Sequence, residues 1–161
     1  LVGFKNSTSG SVMAAINAIH SSAEPKSFMG ISQDGKVSVI HTKGNKNCCL
    51  VLRGGTRPNY KREDVQKVVE QLDIESMDTA IIIDASHGNS GKDWEQQMSV
   101  IDYLTKVRHP SVRGIMCESF IRDGSQSLLQ KPLQYGISVT DSCIGIDKTI
   151  QLMTPLNKSV K

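Results

Sequence analysis

Aromatic residues are scarce in this chain, at 4% with a single Trp. Proteins that hold nucleic acid usually place rings to stack on bases beside a basic stripe. Here the lysines and arginines are scattered, no block of like charge occurs and the net charge is only +3, so nucleic acid is set aside as a partner. Long apolar runs are missing too. No stretch approaches the roughly 20 residues of a membrane-spanning helix, and no membrane partner is expected. The four cysteines, Cys48, Cys49, Cys117 and Cys143, form no CxxC pair, which argues against a structural zinc site. Neighbouring strand side chains point to opposite faces, so Cys48 and Cys49 cannot share one metal. All four read as reduced thiols packed in a core, which fits a cytoplasmic protein. The chain opens on Leu1 rather than an initiator Met, and no secretory leader is expected.

What is present suits a folded domain. Hydrophobic residues make up 38% of the chain and charged ones 22%, enough for a core and too apolar for disorder. Val2–Phe4 reads as the stub of a strand. Thr8, Ser9 and Ser11 offer N-cap oxygens to a helix carrying Val12, Ala15, Ile16 and Ile19. Ser27–Ser32 and Lys36–Thr42 read as a β-hairpin turning at the dipeptide Asp34-Gly35. Then come the apolar strand Cys48–Leu52, a helix with Val65, Val68, Val69 and Leu72, and the strand Thr79–Asp84. A helix with Trp94, Met98, Ile101 and Leu104 precedes a third apolar strand, Val112–Glu118. A polar loop over Arg122–Gly136 and a helix over Asp147–Met153, stopped near Pro155, close the chain. Apolar strands alternating with amphipathic helices predict an α/β fold with a parallel sheet.

The polar residues that end the strands are the informative ones. Lys5 follows the first strand, Arg53 ends CCLVLR, His87 follows IIIDAS and Glu118 ends GIMCE. In parallel α/β folds the carboxyl ends of the strands carry the active site. Lys5 and Arg53 suit a phosphorylated ligand, Arg as a planar fork and Lys as a point charge. KNSTSGS adds hydroxyls and backbone N–H groups at a helix start. Gly54-Gly55 permit a close backbone approach to a ligand. His87, Glu118 and Asp141 offer one imidazole and two carboxylates, a donor set for Mn, Fe, Co or Zn. His20, His41 and His109 read as ordinary polar residues. SHGNSGKD lacks the spacing of a nucleotide-binding P-loop, and no GxSxG elbow supports a serine nucleophile.

In this order, GFKNSTSGS, LRGGTRPNY, DASHGNSGKD, GIMCES and PLQYGISVTDSCIG resemble the motifs of the 3-deoxy-D-arabino-heptulosonate 7-phosphate (DAHP) synthases, of the feedback-inhibited microbial type. The likeness spans essentially the whole chain. It implies an aldol-type transferase on a (β/α)8 barrel. That enzyme condenses phosphoenolpyruvate with erythrose 4-phosphate and water to give DAHP and phosphate, the first step of the shikimate pathway. It implies Lys5 and Arg53 as phosphoenolpyruvate-binding catalytic residues. His87, Glu118 and Asp141 match three of the family's four ligands to a divalent metal, His87 counting also as catalytic. The fourth ligand, a Cys on the first barrel strand, has no counterpart here. Neither has the KPRT motif nor a further Arg of the fourth strand. Ser7 stands where the family's KNGT has Gly.

A complete barrel takes about 250 residues. The resemblance therefore implies that residues 1–161 are one partial domain, strands five to eight, the C-terminal half of a (β/α)8 TIM barrel with an inserted β-hairpin. A half-barrel leaves two sheet edges unpaired, so the isolated chain is expected to be inactive and prone to associate, and the full-length form to be a homo-oligomer. Two alternatives stand beside this. One is a non-catalytic, truncated phosphate-binding or interaction module. The other is the related synthase that takes arabinose 5-phosphate, which LRGGTRPNY and SHGNSGKD fit less well.

Overall fold

Five consecutive apolar residues, Cys48–Leu52, form a strand buried at every position, because both of its neighbours are strands and one face carries helices. A computed structural model describes residues 1–75 and 77–157. In it β1 (Val2–Lys5), α1 (Met13–Ala23), β2 (Lys26–Ile31), β3 (Val37–Thr42), β4 (Cys48–Leu52), α2 (Arg62–Ile74) and β5 (Ala80–Asp84) follow in order. They are succeeded by α3 (His87–Ser90), α4 (Trp94–Lys106), β6 (Val112–Met116), β7 (Ser119–Phe120), β8 (Ile144–Gly145) and α5 (Ile146–Asn157). None of the described helices is long and apolar enough to cross a membrane.

The main sheet runs β1-β4-β5-β6, and all three pairings are parallel. The order never reverses, so each crossover steps the same way and the helices collect on one face. One apolar cluster joins Leu50 and Leu52 of β4 with Ile81 and Ile83 of β5, Ile16 and Ile19 of α1, Val65 and Leu72 of α2, and Ile101 and Leu104 of α4. These positions recur three or seven residues apart on the helices and two apart on the strands. Full burial of each Leu or Ile contributes roughly 1.5–3 kcal/mol. Cys49 and Val51 alternate to the face away from the helices. There a Cβ on Gly3 would lie 2.8 Å from Val51 Cγ2, so β1 carries glycine beside them.

The structure departs from the sequence expectations in four places. The hairpin loop has three residues, not two: Gly35 N–H donates to Ser32 C=O at 3.0 Å, and Gly35 takes the left-handed position that a three-residue loop needs (φ +76°). Val12, not Ser9 or Ser11, is the N-cap of α1, and no side chain caps it. The serines fold the preceding loop on itself instead, Ser7 Oγ lying 2.8 Å from Ser9 Oγ and donating to Ser11 C=O at 3.3 Å. Helix α5 runs two residues past Pro155, which removes one donor from its last turn without ending it. Finally, β7 and β8 make a parallel pair on either side of the Arg122–Gly136 loop, where the sequence suggests no separate strand.

The hairpin β2-β3 stands apart from the main sheet. Met29 faces Val39 and Ile31 faces Val37 on one surface of it, all four largely exposed.

Candidate functional site at the carboxyl ends of the strands

The chain leaves β5 through Asp84, a carboxylate with no exposure at all. A buried charge persists only with partners, and Asp84 has four contacts. Its Oδ1 accepts from Ser86 N–H at 3.0 Å and from Ser86 Oγ at 2.8 Å. Its Oδ2 accepts from Lys5 Nζ at 2.7 Å and lies 2.8 Å from His87 Nδ1. Burial pushes the Asp84 carboxyl up. The hydrogen bonds from Lys5 and Ser86, with the charges of His87 and Lys5, outweigh it and hold the group below the ordinary carboxylate range.

With Nδ1 engaged, His87 turns Nε2 toward two more carboxylates, Glu118 Oε1 at 3.7 Å and Asp141 Oδ2 at 3.8 Å. One donor atom from each of the three residues lies within 4.8 Å of the others. His87 opens the single turn α3 directly after β5. Glu118 lies two residues beyond the end of β6, which stops at Met116 rather than running on to it. Its backbone is fixed by Gln97 Oε1, which accepts from Glu118 N–H at 2.6 Å, and by Ile144 N–H, which donates to Glu118 C=O at 2.9 Å. Asp141 comes from the connector before β8 and accepts from Lys92 Nζ at 2.9 Å.

The two carboxylates are pushed in opposite directions. Burial, helped by the negative charges of Asp141 and Asp84, raises Glu118 against the pull of His87 and Lys5. The hydrogen bond from Lys92, with the charges of Lys92, His87 and Arg53, lowers Asp141 although burial opposes it. This cradle is electron-rich and partly desolvated, and it presents one nitrogen and two oxygens. Such a set fits a divalent transition metal, and an imidazole whose other nitrogen is held by a carboxylate is the usual support for one.

Arg53, at the end of β4, enters the cradle only through its charge on Asp141. Its backbone N–H donates to Asn6 Oδ1 at 2.8 Å. Gly54 and Gly55 approach neighbouring loops closely: a Cβ on Gly54 would meet Gly88 C at 2.3 Å, and one on Gly55 would meet Gly10 N at 2.4 Å. Their smallness is used up in packing three strand-end loops together, not in admitting a ligand.

So His87, Glu118 and Asp141 come together, Lys5 joins them through Asp84, and Arg53 stands beside them. The remaining histidines lie elsewhere; His41, for example, sits on the hairpin 2.7 Å from Ser27 Oγ. Sequence reasoning missed Asp84, Lys92, Gln97 and the asparagines Asn6, Asn59 and Asn89. Gln97 carried a signal, since it occupies the apolar register of α4 and is buried there. Lys92 did not, but its positive φ of 64° marks it in the structure as a position held by its surroundings. All four cysteines are free; Cys48 and Cys49 are buried as expected, whereas Cys117 and Cys143 are only half-buried.

Fold and site together define an α/β protein that gathers its reactive side chains at the carboxyl rim of a parallel sheet. The chain belongs to the DAHP synthetase I family, which matches residues 1–154. It is 39% identical over 164 residues to the Tyr-sensitive phospho-2-dehydro-3-deoxyheptonate aldolase of Salmonella typhimurium, across 99% of this chain and 46% of that enzyme. To the phospho-2-dehydro-3-deoxyheptonate aldolase of Corynebacterium glutamicum it is 41% identical over 172 residues, with 99% and 46% covered. The solved structure of the Francisella tularensis phospho-2-dehydro-3-deoxyheptonate aldolase superposes with a TM-score of 0.89 at 37% identity, over 98% of this chain and 47% of that one. The chain thus spans about half the length of these relatives.

Proposed function

We propose that the protein carrying this chain is a DAHP synthase, joining phosphoenolpyruvate to erythrose 4-phosphate in the first step of aromatic amino acid synthesis. One observation carries the reading: His87, Glu118 and Asp141 converge within 4.8 Å at the strand ends of a chain that matches the family from residue 1 to residue 154. These 161 residues are proposed to be the C-terminal half of a (β/α)8 barrel with an inserted hairpin. The unreversed parallel order and the 46–47% coverage of the relatives support that.

In the reaction C3 of phosphoenolpyruvate bonds to the aldehyde carbon of erythrose 4-phosphate, water adds at C2, and phosphate leaves with its bridging oxygen. Lys5 and Arg53 hold the phosphoenolpyruvate anion, so positioning and charge rather than covalent chemistry are what they supply. His87, Glu118 and Asp141 would hold a divalent metal, which would supply Lewis-acid polarisation of the aldehyde oxygen. Asp84 keeps the Nδ1 side of His87 occupied, and Gln97 keeps Glu118 in place. The protein is proposed to work in the cytosol as a homo-oligomer.

The test is direct. The full native polypeptide, supplied with both substrates and Mn2+, should form DAHP and release phosphate one for one, and His87→Ala should abolish both. Turnover with arabinose 5-phosphate in place of erythrose 4-phosphate, or no turnover with either sugar, would overturn the assignment. The 161-residue chain alone should show no turnover.

A further inference from the structure

We infer that Asp84 is a positioning residue through which anion binding at Lys5 and metal binding at His87 strengthen one another. The inference rests on the synthase reading above and adds a linkage within the same site. Lys5 Nζ at 2.7 Å and His87 Nδ1 at 2.8 Å meet the same oxygen, Oδ2, while Oδ1 is taken by Ser86. Asp84 is fully buried, so no substrate touches it, whereas the Lys5 side chain is 36% exposed and reachable.

One oxygen serving two donors makes them competitors. An ammonium at 2.7 Å draws electron density from Oδ2 and weakens its hold on the imidazole. When a phosphate or carboxylate takes part of the Lys5 charge, Oδ2 binds Nδ1–H more tightly. The ring then gains electron density, and Nε2, which faces Glu118 and Asp141, becomes a stronger donor. The reverse holds as well. A dication on Nε2 makes Nδ1–H more acidic, Oδ2 leans toward it, and Lys5 is freed for the anion. Linkage requires the two effects to be equal in size.

Calorimetry on the full native polypeptide tests this, with Mn2+ as the metal and phosphoenolpyruvate as the anion. Each should lower the Kd of the other by the same factor, about fivefold or more. In Asp84→Asn the Kd for Mn2+ should rise roughly 10–100-fold, and the mutual enhancement should vanish. A second readout needs no metal and no variant. In metal-free protein labelled with 15N-histidine, phosphoenolpyruvate should move the His87 Nδ1–H resonance downfield, and this measurement decides the matter if Asp84→Asn does not fold. An unmoved resonance, or mutual enhancement that persists in folded Asp84→Asn, overturns the linkage and leaves the synthase reading intact. Failure of the native protein to bind either ligand overturns both.

Discussion

Asn6 Oδ1 accepts the backbone N–H of Arg53 at 2.8 Å, tying the end of β1 to the end of β4. Asn6 is buried, and its Nδ2 donates to the carbonyls of Gly54 and Ser7, both at 2.8 Å. Asn59 continues the chain of contacts: its Oδ1 accepts from Gly54 N–H and its N–H donates to Asn89 Oδ1, each at 2.8 Å. Asn89 Nδ2 then reaches the carbonyls of Leu52 and Asp84. Three asparagines thereby hold Lys5, Arg53 and His87 at one rim.

Asn6→Ala leaves the partly buried Arg53 N–H and the buried Gly54 C=O without their Asn6 partner and should cost about 3 kcal/mol of stability. In the full native polypeptide, if it is the proposed synthase, release of the Arg53 backbone should raise the KM for phosphoenolpyruvate more than it lowers kcat. Denaturant melts and initial rates check the two parts separately.

Gly54 and Gly35 share a positive φ, of +74° and +76°, in different surroundings. At Gly35 nothing lies within 4 Å of an added Cβ, so Gly35→Ala should cost only the backbone preference, about 1 kcal/mol. At Gly54 the same methyl meets Gly88 C at 2.3 Å, and the loops after β4 and β5 must part. Gly54→Ala should therefore cost at least about 3 kcal/mol and disturb His87, which adjoins Gly88. Thermal melts of the two variants side by side would show the contrast.

The four strands of the main sheet were legible because each is an apolar run with a polar residue at its end, and the candidate rim followed from position alone. The hairpin pairing was legible from alternation, but its turn was not, because Asp34-Gly35 marks a reversal without saying where the left-handed residue sits. β7 and β8 have two residues each, too few to show a period of two. Asp84 was hidden for a different reason. As the last residue of an apolar strand it looks like any polar terminus, and its meaning lies in Lys5, 79 residues away and on a strand that is not its neighbour. The asparagines read as turn formers, since only the folded loops reveal which backbone groups they satisfy.

Asp123 gives a pH dependence outside the cradle. Its Oδ2 accepts from Lys148 Nζ at 2.7 Å, and its Oδ1 from Gly145 N–H at 2.7 Å. The Lys148 hydrogen bond, joined by Gly145 and the Lys148 charge and opposed by burial, lowers the carboxyl below its ordinary value. A lowered folded-state value means stability that is present above the unfolded value, about 3.9, and lost as pH falls through the folded one. Both side chains are about a third exposed, so the gain is small, at most about 1 kcal/mol. Asp123→Asn should melt below the wild type at pH 6, and the two curves should converge as pH falls through the lowered folded-state value. A gap that persists at low pH would assign the effect to the Gly145 contact.

Glu118 separates holding a metal from holding the fold. Its carboxylate is partly buried beside those of Asp141 and Asp84, and burial with those charges disfavours its ionised form in the metal-free protein. Glu118→Gln removes that charge and leaves a side chain of the same shape. The metal-free variant should then melt at or slightly above the wild-type temperature, within about 1 kcal/mol. The wild type should gain about 2.7 kcal/mol in Mn2+ at a hundred times its Kd, reversed by a chelator, and Glu118→Gln should lose most of that gain. A variant that melts well below metal-free wild type would mean Glu118 is structural. A ligand whose removal leaves the fold intact is one retained for the ion it binds, at some cost to the empty protein.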